Sequence, residues 1–132
     1  MFSDESKYIF NDIIFKNITS NSKFLLLFSF NDVVFNNITA SDITCIGDGG
    51  DTYFITFDSG EKETKNFIIK NSHFQNIISN GSFFKITGDS NIISFQNTTI
   101  TNVKTYGSVI DNKSKKVIKL IQFFNEIYII YY

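Results

Sequence analysis

The sequence predicts an all-β chain that coils as a solenoid, and three observations support this fold class. A ten-residue motif returns along the chain, since FNDIIFKNIT at residues 10–19 is followed by FNDVVFNNIT at residues 30–39. β-branched and aromatic residues fill the apolar runs, as they do in strands, and no apolar stripe repeats at the 3.6-residue spacing of a helix. With 132 residues, 42% hydrophobic content and 16 Phe, the chain is one domain or a piece of one and can bury a core.

The motif occurs in four copies that share an apolar residue, Asx, Phe or Ile, Asn, and Ile or Val at fixed spacing. The copies begin at Phe10, Phe30, Ile69 and Phe95, and a degenerate fifth copy is predicted in FFNEIYII at residues 123–130. The wide gap after the second copy contains IGDGGDT and DSGEKETK, which are typical of loops, so residues 47–65 are predicted to be a loop insertion. Coils are therefore expected to begin near residues 8, 28, 66, 91 and 117 of a single domain or fragment spanning residues 1–132.

Such a repeat cannot bury its apolar face alone, whereas stacked repeats bury it together. Leucine-rich repeats have a similar length, but this chain has only four Leu. A parallel β-helix instead places β-branched and aromatic side chains inside and Asn or Gly at its corners. The composition of the repeat therefore favours a β-helix.

One stretch, NFIIKNSHFQNIISNGSFFKI at residues 66–86, resembles a single coil of a right-handed parallel β-helix. That is the fold of the pectate-lyase-like superfamily and of many microbial surface-protein repeats. The resemblance covers roughly residues 8–127. It implies a right-handed solenoid of about five coils. Because the short first segment and the apolar last segment do not resemble the polar caps of native solenoids, the chain is expected to be a fragment of a longer one.

The repeat also predicts which residues stack. Side chains alternate in direction along a strand, so one residue of each copy is expected in a shared core column at the ~4.8 Å strand spacing: Phe15, Phe35, Phe74 and Ile100. Asn and Asp tolerate the left-handed backbone of a corner, and the predicted corners are Asp12, Asp32, Asn71 and Asn97. The Asn residues at the strand ends are expected to hydrogen-bond up the stack as a ladder: Asn17, Asn37, Asn76 and Asn102.

Five N-x-S/T sequons raise the alternative of glycosylation. They begin at Asn17, Asn37, Asn80, Asn97 and Asn112. Asn76 and Asn102 hold the same motif position as Asn17 and Asn37 without a sequon, so a structural ladder explains that position better. Asn80 and Asn112 lie in predicted turns and are the candidate glycosylation sites.

Metal, cofactor and catalytic roles are not predicted. GDGGD at residues 47–51 suggests a calcium site of Asp42, Asp48 and Asp51, but a single short match of this kind is more typical of a solvated loop. His73 is the only His and is predicted to point outward from its strand. Cys45 lies in the apolar stretch ITCIG and is predicted to be a small buried hydrophobe.

The resemblance brings an enzyme hypothesis, because many β-helix proteins cleave acidic polysaccharides. Lyases of the pectate-lyase type use Arg or Lys beside calcium ligands, and the polygalacturonase type uses clustered Asp with His and Arg-x-Lys. This chain has no Arg and one His, and its candidate carboxylates, Asp58, Glu61 and Glu63, crowd one polar loop without a predicted cleft.

The favoured function is a non-catalytic stalk or recognition surface of a larger extracellular protein. The alternative is a fragment of a carbohydrate-active enzyme.

The expected partners follow from this interpretation. A glycan or a cell-surface protein is expected, while the 12 dispersed Lys argue against nucleic acid. The longest apolar run, FLLLFSF at residues 24–30, is too short to span a membrane. The N-terminus lacks the pattern of a signal peptide, so either the protein is intracellular or Met1 is not the start of the parent chain. Export through a longer parent chain is the favoured expectation. The apolar final segment IYIIYY predicts end-to-end self-association.

Overall fold

The computed structural model of the chain describes residues 6–47 and 52–127. These residues form eleven β-strands and no helix, and none of them belongs to a helix able to cross a membrane. The strands are β1 (Lys7–Asn11), β2 (Ile14–Ser20), β3 (Phe24–Ser29), β4 (Asp32–Asn36), β5 (Thr39–Cys45), β6 (Tyr53–Asp58), β7 (Lys65–Ser79), β8 (Phe84–Thr87), β9 (Asn91–Thr105), β10 (Ile110–Asn112) and β11 (Ile118–Ile127).

The described strands pair in parallel and form two sheets. In the first sheet β1, β4, β7, β9 and β11 follow one another, and β2 and β5 join beside the second half of β7. The second sheet has the order β3-β6-β8-β10. Coil 1 is therefore β1–β3, coil 2 is β4–β6, coil 3 is β7–β8 and coil 4 is β9–β10, while β11 opens a fifth. The predicted all-β parallel solenoid is confirmed with about four coils, and its right-handedness stays a prediction.

Aligned residues in successive coils are separated by 25, 34 and 26 positions. The middle step is the longest because coil 2 has longer connections on both sides of β6. The strands that open the coils begin at Lys7, Asp32, Lys65, Asn91 and Ile118. The extra residues thus fall between the strands, and the parallel pairing of the strands is preserved.

The core is an apolar column enclosed by the two sheets. Its largest fully buried side chains are mostly Phe, with Ile filling the remaining space. Rings contact one another from coil to coil: Phe10 stacks on Phe35 with centroids 4.9 Å apart, and Phe54 stacks on Phe83 at 5.0 Å. Stacked and edge-on ring pairs of this kind contribute about 1 kcal/mol each beyond their burial.

The register corrects the predicted core column. Phe15 pairs with Ala40, and this column continues through Phe74 and Ile100. Phe35 is buried but pairs with Phe10 in a neighbouring column, so its placement beside Phe15 was wrong. The two motif copies lie 20 residues apart, whereas the coils repeat after 25.

The difference has a physical cause in the corners of the coil. Each coil turns twice through an Asx residue with positive φ, and the two turns lie five residues apart. The first-corner residues are Asp12, Asn37, Asn71 and Asn97, with φ between 44° and 57°. The second-corner residues are Asn17, Asp42, Asn76 and Asn102, with φ between 50° and 58°. A motif with two equivalent corners matches itself when one copy is shifted by five residues.

This shift explains two further corrections. Asn37 occupies the first corner and is aligned with Asp12, while Asp42 is the residue aligned with Asn17. Asp32 is not a corner residue, because it begins β4. Its Oδ1 accepts hydrogen bonds from the backbone N and the Nδ2 of Asn66, at 2.6 and 3.0 Å.

Side-chain amides connect the corners of successive coils. In the first row Asn37 Nδ2 donates to Asp12 Oδ1 at 2.6 Å, and Asn97 Nδ2 donates to Asn71 Oδ1 at 2.9 Å. Between coils 2 and 3 the row shifts by one residue, because Asn71 Nδ2 donates to Asn36 Oδ1 at 3.0 Å and not to the corner residue Asn37. In each of these bonds the donor belongs to the later coil and the acceptor to the earlier one.

The second row has the same polarity. Asn76 Nδ2 donates to Asp42 Oδ1 at 3.0 Å, and Asn102 Nδ2 donates to Asn76 Oδ1 at 2.6 Å. These corner side chains are exposed, so the ladder follows the outside of the solenoid. The register of the second row is interrupted at β11. Glu126 lies opposite Thr101 and Ile127 lies opposite Val103, so no residue of β11 pairs with Asn102.

Candidate functional site

The candidate site is a groove of about 480 Å³ where the second sheet turns back into the first. Phe30, at the end of coil 1, forms one wall, and the turn after β6 forms the other. The lining residues are Phe30, Ser59, Gly60, Glu61, Lys62, Glu63 and Lys65. We call this the Phe30 groove.

Phe30 has an unusual backbone and an unusual exposure. Its φ is +62°, a left-handed conformation that costs an aromatic residue about 1–2 kcal/mol. Its side chain is nevertheless 51% exposed, so burial in the core does not compensate for this cost. The Phe30 N–H donates to the Asp58 carbonyl at 2.8 Å, which fixes the turn against coil 2. The structure therefore holds an aromatic side chain at the surface on a strained backbone.

A glycine beneath the ring makes this arrangement sterically possible. Gly60 has φ +69°, and a Cβ at this position would lie 2.8 Å from Cδ1 of Phe30. The Gly60 carbonyl accepts from the N–H groups of Asp89 and Ser90, at 3.1 and 3.2 Å. At Gly88 (φ +85°), a Cβ would lie 2.6 Å from the Gly60 nitrogen. The turn is thus held against coil 3 and has no room for larger residues at these two positions.

The three carboxylates predicted to crowd this loop differ in their roles. Asp58 Oδ1 accepts from the Gly60 N–H at 3.0 Å and so supports the turn from within. Glu63 pairs with the largely buried Lys65, Oε2 to Nζ at 2.9 Å. Glu61 is exposed and lines the groove. Glu61 and Glu63 line the Phe30 groove, so the expectation that they lack a cleft was wrong, whereas Asp58 is not among the lining residues.

Charged residues of later coils continue along the same edge. Lys115 Nζ lies 2.9 Å from Asp89 Oδ2, and this hydrogen bond lowers the pKa of the Asp89 carboxyl. The same contact raises the pKa of Lys115, with a smaller contribution from Glu61 in the groove. The groove therefore continues into a charged edge of mixed sign.

The two candidate glycosylation residues use their side chains locally, and Asn80 lies in the turn after β7 whereas Asn112 is the last residue of β10. Asn80 is exposed and donates from Nδ2 to the Gly47 carbonyl at 3.0 Å. Asn112 donates to the Lys116 carbonyl at 2.8 Å and accepts from the backbone and hydroxyl of Ser114. Both amides organise their turns, and glycosylation at either residue stays a prediction.

The remaining candidate residues are in environments typical of structural roles. His73 is half-buried on the outer face, where Nδ1 contacts the Thr99 hydroxyl and Nε2 lies 2.9 Å from Gln75 Oε1. Cys45 is fully buried, and burial raises the pKa of its thiol to about 11. Of the suggested calcium ligands, Asp42 belongs to the second corner row, while Asp48 and Asp51 lie outside the described residues. Across residues 6–47 and 52–127 no group of three or more His, Cys, Asp or Glu side chains could hold a metal ion.

Comparison with protein-family models, curated proteins and solved structures found no match to this chain. The parallel β-solenoid is shown by the structure itself, and the likeness to the pectate-lyase-like superfamily stays a resemblance.

The sequence does not identify Phe30 as a site residue, because Phe30 is also the first residue of the second motif copy. A local signal existed. Phe30 is followed by Asn31 and Asp32, residues typical of turns, and Gly60 and Gly88 punctuate the following coils. The contact between Phe30 and Gly60 joins residues far apart in sequence, so it could be identified only from the structure.

Proposed function

We propose that this chain is a non-catalytic β-solenoid module of a larger extracellular protein, and that it recognises a glycan through the Phe30 groove. The observation that carries the proposal is the half-exposed Phe30 ring, held at positive φ above Gly60. Strained residues of this kind cluster at functional sites, where the surrounding structure enforces them. The resemblance to β-helix surface proteins supports the same interpretation.

The chemistry of the groove suits a pyranose ring. The face of a phenyl ring carries partial negative charge and attracts the polarised C–H groups on the apolar face of a sugar. Around the ring, Glu61 and Lys62 are exposed and offer an acceptor and a donor to sugar hydroxyls. The groove lining contains two Glu and two Lys, so a neutral sugar fits its charge balance better than a polyanion does.

Replacing Phe30 tests the proposal. Phe30→Ala should weaken binding of the best ligand from a glycan array at least five-fold by calorimetry, because the apolar sugar face loses its platform. Phe30→Gly should bind equally poorly while unfolding at no lower denaturant concentration, since Gly adopts φ > 0 without strain. Leu27→Ala is the matched control, as it removes an apolar side chain of coil 1 that is 48% exposed and lies outside the groove. Wild-type affinity in both Phe30 variants would refute the role of the groove.

The alternative function is a fragment of a carbohydrate-active enzyme, favoured by the presence of Glu61 and Glu63 in one groove. The bonds of Asp58 to Gly60 and of Glu63 to Lys65 favour binding over catalysis, because they leave Glu61 as the freest carboxylate of the three. We expect polygalacturonate, with and without calcium, to yield neither unsaturated products nor new reducing ends. Activity that disappears in Asp58→Asn or Glu61→Gln would establish the enzyme instead.

We also propose that a second copy of the chain stacks on the coil 1 end of the solenoid. Inward residues are more exposed here than in coil 2: Tyr8 is 44% exposed, whereas its partner Val33 is fully buried. Strands β1, β2 and β3 each pair on one side with coil 2 and are edge strands of the described sheets. Edge strands beside an apolar surface favour further pairing.

Light scattering on the purified chain should therefore show species larger than a monomer at tens of micromolar. Tyr8→Lys should lower the mean mass, because a charge at the end of the stack opposes association. Ile92→Lys is the control, since Ile92 is 52% exposed on the side of coil 4. A stable wild-type monomer would contradict this proposal.

A further inference from the structure

A second groove of about 400 Å³ lies at the opposite end of the second sheet, where the first sheet turns into it. Its lining residues are Ile46, Ile78, Ser79, Asn80, Lys104, Thr105 and Tyr106. They belong to coils 2, 3 and 4, so this groove crosses the coils along the solenoid axis. We call it the Tyr106 groove, and it shares no residue with the Phe30 groove.

The Tyr106 groove presents an apolar surface with no cover among the described residues. Ile46 is 49% exposed, Ile78 is 48% exposed and Tyr106 is 56% exposed. Backbone pairing aligns residues 46, 80 and 106 in successive coils, because each N–H bonds to the strand end of the coil before it. The groove thus places three exposed apolar side chains beside polar ones across three coils.

The polar groups at the base of the groove are already satisfied. Ser79 Oγ donates to a backbone carbonyl, with Thr52 O and Ser82 O both at 3.1 Å, and Thr105 Oγ1 donates to Gly107 O at 2.6 Å. Both residues are almost fully buried. These hydroxyls therefore have little to offer a ligand, and recognition depends on the apolar side chains, Asn80 and Lys104.

Lys104 sets the charge that the groove selects. It is exposed, it is the one charged residue of the groove lining, and no described residue forms an ion pair with it. A ligand that covers this ammonium must pair it, because an unpaired desolvated charge is costly. A ligand with an anionic group next to an apolar group would pair Lys104 and cover the exposed apolar side chains.

We propose that the Tyr106 groove binds an extended peptide segment of a partner protein that carries apolar side chains and a carboxylate on one face, at positions two residues apart. Two of the three exposed apolar side chains, Ile46 and Ile78, are branched aliphatic groups, which pack against other aliphatic groups, and this favours a peptide over a sugar. Side chains on one face of an extended peptide recur every ~6.8 Å, so a short segment along the axis reaches the side chains of three coils, which are ~4.8 Å apart. Lys104 would pair with a carboxylate on that face. Because of this charge complementarity, an acidic peptide is preferred over a basic one.

The test uses two blocked five-residue peptides, acetyl-Leu-Ser-Glu-Ser-Leu-amide and its counterpart with Lys in place of Glu, in which the two Leu and the charged residue share one face of the extended chain. Both are titrated into the full chain labelled with ¹⁵N. We expect the Glu peptide to shift the resonances of residues 46, 78, 104 and 106 and to bind at least ten-fold more tightly than the Lys peptide. Tyr106→Ala should reduce its affinity at least five-fold, and Lys104→Glu should reverse the preference between the peptides. Lys16→Glu is the matched control, because Lys16 is an exposed lysine of coil 1 outside the groove.

The outcomes separate this site from the Phe30 groove. Phe30→Ala should leave the peptide titration unchanged, so failure of the glycan proposal does not affect this one. No shift in the groove, or an unchanged preference in Lys104→Glu, would overturn the proposal. Shifts of the same resonances with N-acetylglucosamine but not with the Glu peptide would identify the groove as a sugar site and would also overturn it.

Discussion

Phe74→Ala should lower the free energy of unfolding by ~3–5 kcal/mol, the usual cost of a large cavity in a packed core. Phe74 is 1% exposed and lies in the middle coil of the stack. Its ring meets those of Phe83 and Phe84 edge-on, with centroids 5.5 and 5.6 Å away, and Phe54 lies at 6.5 Å. Because these neighbours belong to coils 2 and 3 and are themselves fully buried, they cannot easily move into the cavity.

Gln75→Ala is the matched control for Phe74→Ala. Gln75 is the next residue in the same strand, and its side chain is half-buried on the outer face beside His73. Losing this contact should cost less than about 1 kcal/mol. Urea unfolding followed by circular dichroism measures both variants. Equal losses would contradict the inward direction of Phe74 and the outward direction of Gln75.

Asn76→Asp should destabilise the fold by about 2 kcal/mol at neutral pH. Asn76 Nδ2 donates to the Asp42 carboxylate at 3.0 Å, and an Asp at position 76 would replace this donor by a second carboxylate. The lost hydrogen bond costs about 1 kcal/mol, and two hydrated carboxylates at such short range repel by about 1 kcal/mol. The left-handed backbone adds little, because Asp tolerates positive φ as Asn does. Asn37→Asp places a carboxylate beside Asp12 in the same way, so a similar loss is expected.

The pH dependence of Asn76→Asp separates charge repulsion from other effects. The neighbouring Asp42 should raise the pKa of the introduced carboxyl in the folded state, so the folded protein takes up a proton more readily than the unfolded chain. The difference in the free energy of unfolding between wild type and Asn76→Asp should therefore decrease as the pH falls towards about 4. Gln75→Glu is the control, since it adds the same charge one residue away from the row. Wild-type unfolding midpoints for both Asn→Asp variants would contradict a stabilising ladder.

The fold class could be predicted because its causes are local. Alternating apolar residues, Asx corners and the scarcity of Leu and Ala are all visible in a window of one coil. The register was harder to predict, because two corners five residues apart make the motif ambiguous. Ala40 shows the difficulty: it fills the same column as Phe15 and Phe74, and no pattern in the sequence connects a methyl group with two phenyl rings.

The grooves could not be predicted because their residues meet only after the coils stack. Phe30 belongs to coil 1 and Gly60 to the turn that follows coil 2, and their contact depends on the register between them. Ile46, Ile78 and Tyr106 likewise come from three coils. The carboxylates Asp58, Glu61 and Glu63 were visible in the sequence, but their different bonding partners were not.

The one-way direction of the corner amides has a consequence for how the chain is made. Each amide bond along the corner rows is donated by a later coil to an earlier one, and Asp12, in coil 1, can only accept in its ionised form. A nascent chain emerging from the ribosome would therefore present acceptors first, and each newly synthesised coil would bring the donors that match them. Domains acquire structure from the N-terminus during translation, and repeat proteins can grow by adding units to a formed neighbour. In this solenoid the order of hydrogen-bond donors follows the order of synthesis.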